Sequence, residues 1–301
     1  MAGNEWTIDD IPDQSGRSFI VTGAGSGIGT ETARVLAARG ARVVLACRDI
    51  EKARPVAAEL GARAELRRLD LSDLGSVWEF AANCEPVDTV IANAGVSTIP
   101  KRLTPDGIEL QFATNHLGHF ALITALLGRI RDRVVVVSSM TYRFTGLLHL
   151  GRLDYDDPAF ERRSYSPFGA YCQSKLANLL FVRELRNRLA DSGSSVRALA
   201  VHPGICRTTA GMHTGTRSGD IAWELITRAV GQDADRGAWP SLYAATAAGL
   251  TSGSYYGPGG FLGMTGPPAR TRLARAARDD RRAAELWRRS EQLLHEHRSL
   301  H

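Results

Sequence analysis

Short β-branched runs recur along this chain with longer amphipathic stretches between them, and that alternation restricts the fold more than any other feature. The runs cover residues 18–22, 42–46, 65–69, 89–92, 133–137 and 196–201. Helical patterns follow at 33–39, 51–60, 74–82, 115–127, 171–190 and 238–248. Strands joined through helices pair in parallel, and right-handed crossovers place helices on both faces of the sheet. The expectation is a single-domain α/β chain with a Rossmann-type doubly wound parallel sheet. Its body spans 17–268, after a polar extension over 1–16 and before an Arg-rich tail at 269–301. Two irregular segments, 140–168 and 204–236, follow strands at the carboxyl edge, where open α/β sheets bind ligands.

The formal charge of +5 raises nucleic acid as a partner, so its location matters. From 269 to 301 there are nine Arg against five acids, which puts most of the excess in the tail. There Leu273, Ala277, Ala284, Trp287 and Leu294 give a helical apolar pattern, read as a helix over 271–297 packed by one face with its charges solvated. No nucleic-acid partner is expected. No run of about 18 apolar residues marks a transmembrane segment. Cys47, Cys84, Cys172 and Cys206 are scattered without a CxxC pair, which fits reduced thiols and a cytoplasmic location. His116 and His119 stand three apart without a nearby carboxylate, so they read as helix packing and no metal is expected.

Thr22-Gly-Ala-Gly-Ser-Gly-Ile-Gly29 directly follows the first strand and opens a helix. Gly23, Gly25, Gly27 and Gly29 permit tight turns and close backbone approach, and a helix N-terminus favours an anion. The segment from Thr22 through Ser26 and Ile28 is therefore a candidate phosphate cradle. Further along, Tyr171 and Lys175 are four apart, which sets a phenol and an ammonium on one helix face. An adjacent cation stabilises a phenolate and brings it toward catalytic range. Lys is sparingly used here: Lys52, Lys101 and Lys175 are the only three among 37 basic residues, so a compact ammonium at 175 is pointed.

Taken in order, Thr22 to Gly29, Asn93-Ala94-Gly95, Ser139 and Tyr171 to Lys175 resemble the pattern TGxxxGIG, NAG, Ser, YxxxK of the short-chain dehydrogenase/reductases. Asn115-His-Leu-Gly-His-Phe120, the residues after Tyr171 and His202-Pro-Gly204 resemble the branch of retinol dehydrogenases, WW-domain oxidoreductases and light-dependent protochlorophyllide reductases. The likeness runs from about residue 17 to 263, without the hydrophobic anchor of the membrane-bound members or a WW module. It implies that Tyr171 passes a proton, that Lys175 lowers its pKa and holds the nicotinamide ribose, and that Ser139 hydrogen-bonds the substrate oxygen. Ser138 competes for the last role. Asn115 would anchor a water behind Lys175, or else cap a helix start.

Cofactor choice is read at the end of the second strand, where Cys47 stands in place of the NAD-type acid and Arg48 in the position that pairs with a 2′-phosphate. NADP(H) is favoured and NAD(H) is the alternative, because Asp49 sets a negative charge one residue on. Asp70 and Leu71 resemble the adenine contact, with a helix cap as the competing role for Asp70. Pro203, Gly204, Ile205 and Thr208 resemble the segment that receives the carboxamide, through the Ile205 backbone and the Thr208 hydroxyl. Met140, Phe144, Phe168, Ile205, Met212 and Trp223 form an apolar candidate lining for a lipophilic carbonyl or alcohol substrate. The expected activity is interconversion of that pair. Reduction of a carbon-carbon double bond and a non-catalytic dinucleotide-binding regulator are the alternatives. Relatives pair through helices equivalent to 115–127 and 171–190, so a homo-oligomer is a further option.

Overall fold

The computed structural model describes residues 5–145, 154, 156–207 and 231–298. Eight strands form one sheet: β1 (Ser18–Thr22), β2 (Arg42–Cys47), β3 (Ala64–Arg68), β4 (Val87–Ala92), β5 (Ile130–Val137), β6 (Arg197–Val201), β7 (Tyr255–Pro258) and β8 (Pro268–Arg270). Their order is β3-β2-β1-β4-β5-β6-β7-β8, parallel throughout except that β8 runs antiparallel to β7. The first six are the expected ones. β7 and β8 escaped the pattern because each is four residues or fewer and broken by Gly or Pro.

Alternation along each strand divides the core. Phe19, Val21, Val43 and Leu45 face α1 (Gly27–Ala38) and α2 (Ile50–Leu60), together with a later helix at Ala234–Thr246. Ile20, Val44, Val90 and Val134 face α3 (Leu74–Ala82) and the helices after β4 and β5. The helix after β4, α4, runs Leu110–Phe112, passes through a π turn at Ala113–Leu117 and continues as Gly118–Leu126. It starts five residues before the expected position, because the Glu109 carboxylate accepts from the Gln111 and Phe112 N–H groups. Helix α5 is Pro167–Asp191, also earlier than expected: Ser166 caps it by accepting from Gly169 N, and Pro167 sits where its missing donor costs nothing. The helix at Ala234–Thr246 is α6.

The tail departs from its expectation. Residues 268–270 complete the sheet and Arg275–Arg278 form a 3-10 turn, so the helix, α7, begins only at Asp280 and ends at Arg298. Asp279 accepts from Arg282 N at its start. The packed face is shifted from the one read: Ala277 and Trp287 are buried and Leu273 and Leu294 pack against the core, but Ala283 and Leu286 join it in place of Ala284, with the Trp287 ring 4.9 Å from Phe120 of α4 and 5.7 Å from Phe181 of α5. Thus α7 lies over part of α4 and α5. Among the described residues no helix is long and apolar enough to cross a membrane.

Strand order reverses between β1 and β4, which opens a crevice at their carboxyl ends. The glycine-rich loop after β1, the Asn93-Ala94-Gly95 loop after β4 and the Ser139 end of β5 all lie there.

Candidate active site

The glycine-rich loop is shaped by contacts that exclude side chains. Gly23 and Gly27 have φ of 69° and 57°, in the left-handed region. A Cβ on Gly29 would collide with the Gly23 carbonyl oxygen, and one on Gly23 would lie 2.9 Å from Ala94 Cα. Ser26 precedes α1 with extended backbone but makes no side-chain cap, so the first-turn N–H groups are left for an anion. Ser26 and Gly27 are exposed and Ile28 is half-buried. These residues fit a dinucleotide pyrophosphate.

Thr22 does not face that cradle. It is fully buried, and its hydroxyl accepts the N–H groups of Asn93 and Ala94, each at 2.9 Å. Asn93 returns a bond from Nδ2 to the Thr22 carbonyl at 2.9 Å. His119 Nε2 lies 2.8 Å from the same hydroxyl, and its Nδ1 is 3.1 Å from the Asn115 carbonyl. Because a carbonyl only accepts, Nδ1 carries the proton and Nε2 accepts from Thr22. Burial lowers the His119 pKa to about 4, which keeps this neutral tautomer. His119, read from the sequence as packing, therefore ties α4 to both cofactor-side loops. His116 is held differently, with Nε2 3.0 Å from Ser290 of α7.

Asn115 sits in the π turn, fully buried, and is no helix cap. Its Oδ1 accepts from Val96 N at 2.8 Å, while Nδ2 donates to Val96 O and to Ser174 Oγ, both at 2.9 Å. The side chain thus clamps the loop that carries Gly95 onto the helix that carries Lys175. Its position beside Gly95 is close, since a Cβ there would be 3.0 Å from Asn115 Oδ1 and 3.5 Å from Lys175 Nζ.

Around Tyr171 the two serines separate. Ser138 is buried and donates to the Lys175 carbonyl at 2.7 Å, which pins α5 to the end of β5. Ser139 instead stands near the Tyr171 phenol, as does Ser97, and each favours the phenolate. Ser97 escaped sequence reading because nothing in its spacing distinguishes it from an ordinary loop serine. Lys175 is 4% exposed, donates to the Val137 carbonyl at 3.1 Å, and holds its ammonium 5.7 Å from the Tyr171 ring centroid. Burial lowers the lysine pKa to about 8. The phenol moves opposite to expectation: burial raises the Tyr171 pKa to about 12, against the smaller effect of the Ser139 and Ser97 hydroxyls. Desolvation of both groups outweighs the attraction that the sequence argument assigned to the lysine.

At the end of β2, Arg48 is exposed while Cys47 is 4% exposed and burial pushes its thiol pKa up to about 11. Asp49 is occupied as the cap of α2, accepting from Lys52 N at 3.0 Å. Asp70 is not the cap of α3, a role taken by Asp73; it accepts from the Ser72 N–H at 3.0 Å in a tight turn, next to buried Leu71. Pro203 and Gly204 turn the chain as expected, with Gly204 at φ 74°. The Ile205 backbone, however, is engaged within the protein: its N–H donates to Met264 O at 3.0 Å and its carbonyl accepts from Gln232 N at 2.9 Å. The Ile205 N–H is thus occupied within the protein, while its carbonyl accepts one bond there. Of the candidate lining, Phe144 and Phe168 meet with ring centroids 5.8 Å apart, and Met140 is half-buried at the exit of β5. Thr208, Met212 and Trp223 lie outside the described residues.

A family model for short chain dehydrogenase matches residues 17–147. Retinol dehydrogenase 13 of Homo sapiens is 40% identical over 302 residues, which cover 93% of this chain and 85% of that protein. The crystal structure of an uncharacterized protein from Mycobacterium Paratuberculosis is 44% identical with a TM-score of 0.82, covering 96% of this chain and 97% of that one. A structure from Beutenbergia cavernae with bound NADP at low occupancy is 26% identical with a TM-score of 0.59, covering 80% and 94% of the two chains.

The buried ammonium has a measurable cost. With a folded pKa of about 8 against a model value of 10.5, Lys175 destabilises the folded state by roughly 3 kcal/mol at neutral pH. The cost is fully present below pH 8 and is relieved as pH rises toward 10.5, because the folded protein then releases its proton before the unfolded one. Lys175→Met should therefore unfold at a higher temperature than wild type at pH 7, with the gap narrowing between pH 8 and 10 in thermal melts. A variant less stable than wild type at pH 7 would contradict this assignment.

Proposed function

Since the chain belongs to the short-chain dehydrogenase/reductase superfamily, in the branch of the retinol dehydrogenases, we propose that it is an NADP(H)-dependent oxidoreductase interconverting a carbonyl and an alcohol on a lipophilic small molecule. The observation that carries the reading is the convergence of Ser139, Tyr171 and Lys175 beside a glycine cradle whose helix N-terminus is open. The bound nicotinamide supplies or takes up a hydride. Ser139 and Tyr171 act on the substrate oxygen. In the reducing direction the Ser139 hydroxyl donates a hydrogen bond to it, and the Tyr171 phenol gives up its proton. A Tyr171 pKa of about 12 keeps the phenol protonated at neutral pH, the form that reduction requires. Lys175 is placed to hold the ribose, with Asn115 fixing the loop opposite it through Val96.

The preference for NADP(H) rests on three neighbouring residues. Arg48 is exposed and available to a 2′-phosphate, the acid position is a buried thiol, and Asp49 spends its charge on the α2 cap. The apolar pair Phe144 and Phe168 supports a lipophilic substrate.

Tyr171→Phe should lower kcat by about 10²–10⁴-fold, the span of general acid catalysis, while leaving NADPH affinity within twofold. Retention of most activity would remove the assigned acid. Arg48→Ala should weaken NADPH by tenfold or more, about 1.4 kcal/mol, and leave NADH unchanged in nicotinamide fluorescence titrations. Tighter binding of NADH than NADPH by the wild type would refute the cofactor reading.

A further inference from the structure

At the opposite edge of the sheet from the catalytic crevice, the amino ends of β1 to β4 enclose a cleft of about 440 Å³. Helix α3 ends at Ala82 beside this cleft, and the buried Ile20, Val44 and Val87 lie at the cleft's base. Five arginines line the cleft, Arg17, Arg42, Arg63, Arg67 and Arg131, against two carboxylates, Glu65 and Glu85.

The local carboxylates are shared thinly. Glu65 serves both Arg42, at 3.2 Å, and Arg67, at 3.8 Å. Arg17 pairs with Asp132 at 2.5 Å, but Asp132 also binds Arg133 at 2.8 Å and Arg197. Arg63 donates to the Gly40 carbonyl and feels Asp13 only through space. Arg131 is exposed at the start of β5 and makes no ion pair among the described residues. A ligand-sized cleft with surplus guanidinium charge over an apolar floor concentrates positive potential, because low-dielectric walls focus the field. Guanidinium forks also match phosphate and carboxylate oxygens in pairs.

We propose that this amino-edge cleft is a second binding site, distinct from the cofactor cradle, for a small multivalent anion bearing phosphate or carboxylate groups. The Arg63 and Arg131 guanidiniums supply the contacts that no protein carboxylate takes up, and Arg17, Arg42 and Arg67 surround the ligand.

The test is isothermal titration calorimetry of citrate and of inorganic pyrophosphate at fixed ionic strength, with and without saturating NADPH. Saturable binding of either anion that NADPH does not displace is expected, pyrophosphate alone assigning a phosphate ligand and citrate alone a carboxylate. The double variant Arg63→Ala/Arg131→Ala should weaken that binding tenfold or more. Arg281→Ala/Arg288→Ala, which removes the same charge from the exposed side of α7, should change it less than twofold. The proposal is overturned by absence of saturable binding in the wild type, by displacement with NADPH, or by equal losses in the two double variants, which would mean diffuse surface charge.

Discussion

One buried hydroxyl holds the cofactor side of this protein together. Thr22 ends β1, yet its oxygen is spent on the loop after β4, through two N–H groups, and on the imidazole of α4. A hydroxyl has one proton to give and two lone pairs to fill, and here all three are used. The glycine loop, the Asn93 loop and the π turn are thereby fixed relative to one another before any ligand arrives. The π turn places Asn115 where its amide grips both edges of Val96, and its own carbonyl selects the His119 tautomer. Losing any one member would leave the others buried without partners, which is costlier than the bond itself.

On that frame the site accepts a charge it would be more stable without. Lys175 is buried beside β5 and the Gly95 loop with, among the described residues, one carbonyl as hydrogen-bond acceptor, and the phenol beside it is likewise desolvated. Stabilising interactions elsewhere, among them the Trp287 seam that joins α7 to α4 and α5, offset such a cost. Folds commonly carry their least favourable contacts where function needs them.

Much of this was legible in the sequence, for physical reasons that differ by element. Strands β1, β2, β4 and β5 announced themselves because parallel strands buried on both faces need apolar, β-branched runs, whereas edge strand β3, Ala64-Glu-Leu-Arg-Arg68, has no β-branched residue and is only partly buried. β7 and β8 did not, since Tyr255-Tyr-Gly-Pro258 and Pro268-Ala-Arg270 carry turn residues and gain their place only by pairing at the edge. Helix starts were misplaced where a cap decided them, as Glu109 and Ser166 show, and α7 began late because Arg275–Arg278 close a 3-10 turn and Asp279 then accepts from Arg282 N at the helix start. The motif order singled out Ser139, Tyr171 and Lys175, which the structure brings together at the carboxyl edge of the sheet. Spacing could not say that Ser138 would turn to the helix backbone, that Ser97 would join the phenol, or that the Ile205 N–H would be consumed by Met264. Nor could it weigh desolvation against attraction, so the direction of the Tyr171 shift was misjudged.

The proposed reaction is hydride transfer to a carbonyl carbon polarised by Ser139 and Tyr171. The most direct measurement uses NADPH deuterated at C4 with a panel of lipophilic aldehydes and ketones, some of them α,β-unsaturated, and locates the label in the products by NMR. Deuterium is expected on the carbinol carbon of the alcohol product. Deuterium on a former double-bond carbon with the carbonyl intact, or cofactor binding without transfer to any acceptor, would contradict it.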